Sequence, residues 1–136
     1  MDVAAVEKKL REILNARAEA EGITAAWLFG SVARGTAGPK SDVDVGVLYD
    51  QAPPLTLDGL GLELEWQLES ALGLPVQLVV LNHASVDLIV RVLRDGRLLV
   101  DRDRARRIQF EVRSRNEFWD LEPYLRLYRH QGVLHR

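Results

Sequence analysis

A short connection between two predicted strands constrains this chain more than any other feature of its sequence. Residues 24–29 form an apolar run that ends at Gly30, and residues 42–49 alternate between polar and apolar side chains. An apolar run bounded by glycine is typical of a buried strand, and strict alternation is typical of a strand with one solvated face. The connection itself, residues 30–41, is small and polar. Connections of this length inside compact domains are usually functional.

Two carboxylates lie at the start of the second strand. Asp42 and Asp44 are two residues apart, so their side chains point to the same face with Cα atoms roughly 6–7 Å apart. Carboxylates placed in this way repel each other unless a cation lies between them. Mg²⁺ meets this need because it usually binds one or two carboxylates together with substrate phosphates. The pair predicts a metal site for phosphoryl or nucleotidyl transfer, with the polar face of a surface strand as the alternative.

The end of the first strand carries a candidate phosphate-binding turn. Gly30 allows backbone N–H groups to approach a phosphate, and Ser31 adds a hydroxyl donor. Arg34 lies one turn further on, while Lys40 and Ser41 immediately precede the carboxylates. All five are therefore candidate nucleotide-binding residues. A Gly-Ser pair alone is a weak signal. Ten residues before an Asp-x-Asp pair, however, it can bind the phosphate while the carboxylates bind the metal ion.

The rest of the chain predicts an α/β (α+β) fold with a mixed sheet flanked by helices and a long C-terminal helix. Thr56 is the expected N-cap of the second helix. Pro123 is expected to begin a final segment or to kink the last helix. The predicted helices span residues 3–21, 56–71, 85–94 and 103–128, and two further strands span residues 75–81 and 97–100.

Length and composition exclude several classes of protein. The 136 residues fit one domain spanning residues 1–136. The absence of cysteine excludes disulfides and thiolate metal sites. No apolar run is long enough to cross a bilayer, and the N-terminus lacks the features of a signal peptide. We therefore expect a soluble cytoplasmic protein without a membrane partner.

The charges are distributed unevenly along the chain. Residues 1–90 carry 13 acids and 6 bases, whereas residues 91–136 carry 7 acids and 12 bases. The acidic body argues against direct binding of nucleic acid, which requires clustered cations. The basic tail suits an acidic protein partner, with a solvated helix of mixed charge as the alternative.

The motif and its spacing resemble a known family. Gly30-Ser31, ten residues and then Asp42-x-Asp44 form the signature of the polymerase-β-like nucleotidyltransferases, and the chain resembles their minimal nucleotidyltransferase (MNT) subfamily. The specific parts are Gly-Ser-Val-Ala-Arg-Gly and Ser-Asp-Val-Asp. Less specific similarity extends over Arg-Val-Leu-Arg-Asp-Gly-Arg-Leu-Leu and Tyr-Leu-Arg-Leu-Tyr-Arg, so the resemblance covers most of the chain.

The resemblance implies a concrete activity. MNT proteins are the antitoxins of HEPN/MNT toxin–antitoxin modules. By resemblance, Gly30 and Ser31 hold the triphosphate of ATP, and Asp42 and Asp44 hold Mg²⁺. AMP would be transferred to a tyrosine of a cognate HEPN toxin, which is thereby neutralised. Arg34 and Lys40 would offer charge to the nucleotide or to the acceptor.

One position departs from the family pattern. Family members often carry a third carboxylate on a later strand in the context Val-Asp-Leu-Val, whereas residues 76–79 here read Val-Gln-Leu-Val. Gln77 can ligate a cation through its amide oxygen. It cannot accept a proton as a carboxylate base would. If that carboxylate is the base, the protein is expected to be slow or inactive, unless another acid serves.

Other residues are expected to be structural. Glu65 and Glu69 are four apart on a predicted helix and are expected on its solvated face. His83 lies near the expected edge of the site, and a surface position is expected for it. Trp27 and Trp66 are expected in the core, with adenine stacking as the alternative for Trp66.

The aromatic side of the tail has two interpretations. It contains Trp119 and Tyr124, and such a stripe is expected to pack against the sheet. The alternative is an oligomer or partner surface, since exposed aromatic side chains are enriched in interfaces. Homo- and hetero-oligomers both remain open.

Three functions follow from these observations. The first is a protein adenylyltransferase antitoxin that uses ATP and Mg²⁺. The second is a catalytically weakened antitoxin that binds nucleotide and blocks its toxin by contact. The third, nucleotidylation of an aminoglycoside, is disfavoured because the chain leaves little room for a domain that binds such an acceptor.

Overall fold

Helices and strands alternate along the chain in the computed structural model, which describes residues 2–38, 41–56, 59 and 61–130, with side chains as far as residue 127. The predicted order is confirmed, with a short helix added after the first strand. The elements are α1 (Val3–Glu21), β1 (Ile23–Phe29), α2 (Gly30–Arg34), β2 (Val43–Tyr49), α3 (Leu62–Leu72), β3 (Val76–Val80), α4 (Val86–Asp95), β4 (Arg97–Asp101) and α5 (Arg104–His130).

The four strands form one mixed sheet, as predicted, and their order in it is β3-β2-β1-β4. β1 is antiparallel to both β2 and β4, whereas β2 and β3 are parallel. A parallel pair needs a crossover connection, and α3 provides it. This topology makes β3 an edge strand beside the strand that carries the two carboxylates.

Each face of the sheet is covered by its own helices. On one face, Leu10 and Leu14 of α1 and Leu68 of α3 pack in a buried cluster with Val45 and its neighbours. On the other face, α4 and α5 pack in a second cluster built around Trp27. The Trp27 ring lies 6.5 Å from the ring of Phe110, centroid to centroid. The prediction that Trp27 belongs to the core is confirmed.

The outer edge of β3 is closed by two glutamates of α3. Glu65 Oε2 accepts a hydrogen bond of 2.8 Å from the Leu78 amide, and Glu69 Oε1 accepts one of 2.9 Å from the Val76 amide. Both glutamates are half-buried, so their predicted place on a solvated face is wrong. An edge strand leaves N–H groups without partners unless side chains satisfy them, and these carboxylates do so.

Two further predictions about helices are wrong. α3 begins at Leu62 and not at Thr56, since Gly61 adopts a left-handed conformation with φ of 75° directly before it. Trp66 is 66% exposed and therefore not part of the core. Of the two alternatives for Pro123, a new segment is excluded, because α5 continues through it. Trp66 could not be assigned from periodicity because α3 buries only a narrow stripe containing Leu64 and Leu68.

None of the helices in the described residues is long and apolar enough to span a membrane.

The edge contacts generate a stability prediction. Glu65→Ala and Glu69→Ala should each lower the free energy of unfolding by about 1–2 kcal/mol, since each leaves a strand amide without its acceptor. Glu63→Ala is the matched control, because Glu63 is exposed on the same helix, and it should change stability by about 0.5 kcal/mol or less. Urea unfolding followed by tryptophan fluorescence measures all three. Equal effects at the three positions would contradict the edge-closing role.

Candidate active site

A cleft of about 390 Å³ lies where the carboxylate-bearing end of the sheet meets α4. It is on the face of the sheet that α4 and α5 cover. Side chains and backbone from β1, α2, β2, β3 and α4 line it. These residues are Phe29, Gly30, Ser31, Arg34, Asp44, Gln77, Leu88, Arg91 and Asp95.

Strand pairing places three of the lining residues side by side. Phe29 is the register partner of Asp44 in the antiparallel β1–β2 pair. Asp44 is in turn the partner of Gln77 in the parallel β2–β3 pair. Partners across a ladder point to the same face of a sheet. The amide of Gln77 therefore flanks the Asp44 carboxylate, as the sequence comparison with the family predicted for the third acidic position.

Gly30 is the closest neighbour of the Asp44 carboxylate in this arrangement. It adopts a φ of 75°, which side-chain-bearing residues rarely adopt. A Cβ atom built on Gly30 would lie only 2.1 Å from Asp44 Oδ2. Glycine is thus required here twice, by the backbone conformation and by the space that the carboxylate occupies. The turn continues into α2, which ends at Gly35.

Negative charge is concentrated around Asp44. Burial raises the pKa of its carboxyl above the ordinary value, the negative charge of Asp42 raises it further, and Arg34 partly opposes both. Asp42 is exposed and directly precedes β2, which begins at Val43, one residue later than predicted. Two mutually repelling carboxylates and the amide of Gln77 make a set of oxygen donors that fits a hard cation completing its coordination on phosphate.

The described part of the chain holds no group of three or more His, Cys, Asp or Glu side chains that could bind a metal ion. Asp44 and Asp95 are the carboxylates that line the cleft, and Gln77 adds an amide oxygen. A cation at this cleft would depend on ligands from outside the protein.

The structure brings most of the predicted residues together, but not all. Gly30, Ser31, Arg34, Asp44 and Gln77 line the cleft, whereas Asp42 is not among its lining residues. Ser41 instead shapes the preceding loop: its hydroxyl accepts a hydrogen bond of 2.9 Å from the Gly38 amide, and its own amide donates to the Gly38 carbonyl at 3.1 Å. Lys40 lies outside the described residues.

His83 is on the surface, as expected. Its Nε2 donates to the carbonyl oxygen of Pro53, and its side chain is exposed. It lines a different depression, beside the edge strand, that shares Gln77 with the candidate site.

Sequence reasoning missed the contribution of α4. Leu88, Arg91 and Asp95 line the cleft, and their spacing of three and four residues puts them on one face of a helix. That spacing was readable in the sequence. The packing of this face against α2 was not, because it depends on contacts between segments about 60 residues apart.

Comparison with known proteins identifies the family of the chain. Residues 8–105 match the family model described as "Polymerase beta, Nucleotidyltransferase". The chain therefore belongs to the polymerase-β nucleotidyltransferase family. It is 36% identical over 93 residues to the protein adenylyltransferase MntA of Thermococcus cleftensis, which is 68% of this chain and 84% of that protein. The predicted relationship to the MNT subfamily is confirmed.

Solved structures share the fold over nearly the whole chain. A chain from a crystal structure of a toxin–antitoxin complex with AMP-PNP is 27% identical, with a TM-score of 0.78, covering 93% of this chain and 98% of its own. A chain from the structure of the tri-AMPylated Shewanella oneidensis HEPN toxin in complex with MNT antitoxin is 23% identical, with a TM-score of 0.74, covering 97% and 99%. At 23% identity, the similarity to this second structure shows a shared fold.

The close approach of Gly30 to Asp44 generates a prediction with an internal control. Gly30 and Gly35 both have a φ of 75°, but a Cβ at Gly35 would meet nothing within 4 Å. Gly35→Ala should therefore lower the free energy of unfolding by about 1–2 kcal/mol through backbone strain alone. Gly30→Ala should cost more than this.

The additional loss of unfolding free energy in Gly30→Ala, compared with Gly35→Ala, measures the steric conflict with the Asp44 carboxylate. In an Asp44→Ala background, the excess cost of Gly30→Ala should disappear while the cost of Gly35→Ala stays the same. Denaturant unfolding of the single and double variants gives both numbers. An excess that survives removal of the Asp44 side chain would refute the contact.

Proposed function

We propose that this chain transfers the AMP group of ATP to a tyrosine hydroxyl of a cognate HEPN-domain toxin and thereby neutralises it. The observation that carries the proposal is the cleft in which Gly30 lies directly beneath the Asp44 carboxylate. It brings a backbone turn suited to phosphate against a carboxylate suited to a cation. The names of similar proteins, a protein adenylyltransferase and toxin–antitoxin complexes, support the same activity.

The nucleotide would be held from the β1–α2 side of the cleft. The backbone at Gly30 and the hydroxyl of Ser31 would donate to phosphate oxygens. Arg34 lines the same cleft and would add a positive charge to the triphosphate, as Lys40 would from the loop. Arg91 of α4 also lines the cleft and would contribute a second guanidinium to the triphosphate.

Asp42 and Asp44 would hold Mg²⁺, with the amide oxygen of Gln77 as a further ligand. When bound, the ion would neutralise charge on the phosphates during transfer. The mutual repulsion that raises the pKa of the Asp44 carboxyl is relieved by a cation between the two side chains. The donor set present in the chain therefore fits the ion that the family implies.

The transfer itself needs little from the protein beyond positioning. The tyrosine oxygen bonds to the α-phosphorus of ATP, the bond from that phosphorus to the bridging oxygen breaks, and pyrophosphate leaves. The phenolic proton must pass to a base. Gln77 beside Asp44 cannot take it, so the proton would pass to another acid at the cleft, where Asp95 is the candidate, or to solvent.

The glutamine also supports a second candidate function. A site with two carboxylates and an amide in register retains its means of binding a nucleotide while lacking one acid for catalysis. In this alternative the chain binds nucleotide, transfers AMP weakly, and blocks the toxin by direct contact.

Transfer of label decides between the two functions. Incubation of the purified chain with labelled ATP, Mg²⁺ and the product of the adjacent gene should yield labelled toxin. Asp44→Asn should reduce the rate at least about 100-fold, the usual scale for loss of a group that stabilises charge in the transition state. Asp2→Asn is the matched control, since Asp2 caps α1 outside the cleft and asparagine caps equally well. A complex that forms without labelling would favour the contact-blocking alternative.

Restoring the third carboxylate tests the role of position 77. Gln77→Asp should raise the rate of AMP transfer about 100-fold or more, because general-base catalysis typically contributes on this scale. Gln51→Asp makes the same chemical change at an exposed position outside the cleft and should leave the rate unaltered. Initial rates at saturating ATP measure the effect. Unchanged transfer by Gln77→Asp would refute the missing-base explanation.

A further inference from the structure

The second half of α5 lies outside the two buried clusters of the core. Among the described side chains, none after Ser114 is buried. We call residues 115–127 the distal arm. At 1.5 Å per residue the arm is about 20 Å long. A helix of this length is marginal in water without packing, so its stability calls for a partner.

The distal arm displays large apolar side chains instead of burying them. Six of the nine exposed large hydrophobic residues in the described chain belong to α5, and four of these lie on the arm. Trp119 is 76% exposed and Tyr124 64% exposed. The prediction that the aromatic stripe packs against the sheet is therefore wrong for Trp119 and Tyr124, whereas Phe118 and Leu125 of the same stripe are half-buried. The four are Trp119, Leu121, Tyr124 and Leu127. A concentrated apolar surface of this kind marks an interaction site, and tryptophan and tyrosine are its usual energetic centres.

The first turns of α5 add a basic surface beside the arm. Residues 104–114 carry four arginines and one glutamate. Arg104 and Arg113 form no ion pair with any residue that the structure describes. A cation at the N-terminal end of a helix opposes the helix dipole. An acidic surface on a partner would compensate this charge.

The position of α5 relates this surface to the active site. Phe110 of α5 packs in the same cluster as Phe29 and Leu88, which line the cleft. Phe110 and the cleft are therefore on the same face of the sheet. The cleft of about 390 Å³ has the size of a small-molecule site, so a protein acceptor needs a separate surface close by.

We propose that the distal arm and the basic first turns of α5 form the surface on which the HEPN toxin docks, with its acceptor tyrosine directed to the cleft. The inference rests on the proposed function, which supplies the toxin as partner. α5 lies almost entirely beyond the catalytic family match, which ends at residue 105. Chains from the two toxin–antitoxin complexes nevertheless cover 93% and 97% of this chain, so most of α5 has a counterpart there.

The test compares two exposed tryptophans. The double variant Trp119→Ala/Tyr124→Ala removes the centre of the arm, and Trp66→Ala removes an equally accessible ring from α3. Biolayer interferometry with the cognate HEPN-domain toxin measures affinity. The double variant should bind at least about 30-fold more weakly, the effect of losing an interface hot spot, and Trp66→Ala should bind like the unaltered protein. A fluorescent ATP analogue should bind all three proteins equally.

Each outcome bears on the proposal in a defined way. In the transfer assay, the double variant should show a raised KM for toxin and an unchanged KM for ATP. Equal toxin affinity in the double variant and the unaltered protein would overturn the docking surface and leave the proposed function standing. Absence of toxin binding by the unaltered protein would overturn both. A dimer that dissociates in the double variant while toxin affinity is retained would identify a second copy as the occupant and overturn the proposal.

Discussion

The active-site geometry depends on one contact, the approach of Gly30 to the Asp44 carboxylate. It requires glycine at the end of β1, because any Cβ there would overlap Asp44 Oδ2. It also requires the register in which Phe29 faces Asp44. A slip of one residue would turn Asp44 to the other side of the sheet, among the buried residues packed against α1 and α3. The register of β1 against β2 therefore determines both the core packing and the position of Asp44 in the cleft.

The same ladder explains the chemical character of the site. β3 pairs with β2 so that Gln77 stands next to Asp44, and β3 is kept in place by carboxylates of α3 on its outer edge. The third acidic position of the family thus retains its geometry but not its charge. In the proposed function, the chain keeps residues suited to a polyphosphate and a cation, while position 77 supplies no carboxylate to accept a proton.

In the proposed function, toxin binding and AMP transfer depend on different parts of the chain. The sheet, α2 and α4 form the cleft, and the family match ends where α5 begins. α5 uses one face near its start to complete the core through Phe110 and leaves its distal half outside it. A protein that modifies another protein needs both parts, because a nucleotide-sized cleft has too little surface to hold a folded acceptor.

Local patterns in the sequence determined the elements of the sheet, the helix α1 and the candidate residues from Gly30 to Gln77, because strand alternation, helix period and glycine positions act within a few residues. Only the tertiary structure decided which residues were exposed and which side chains met. Glu65 and Glu69 close an edge strand, Trp66 and Trp119 face solvent, and α4 contributes Arg91 and Asp95 to the cleft. These outcomes depend on contacts between distant segments, on which local periodicity carries no information.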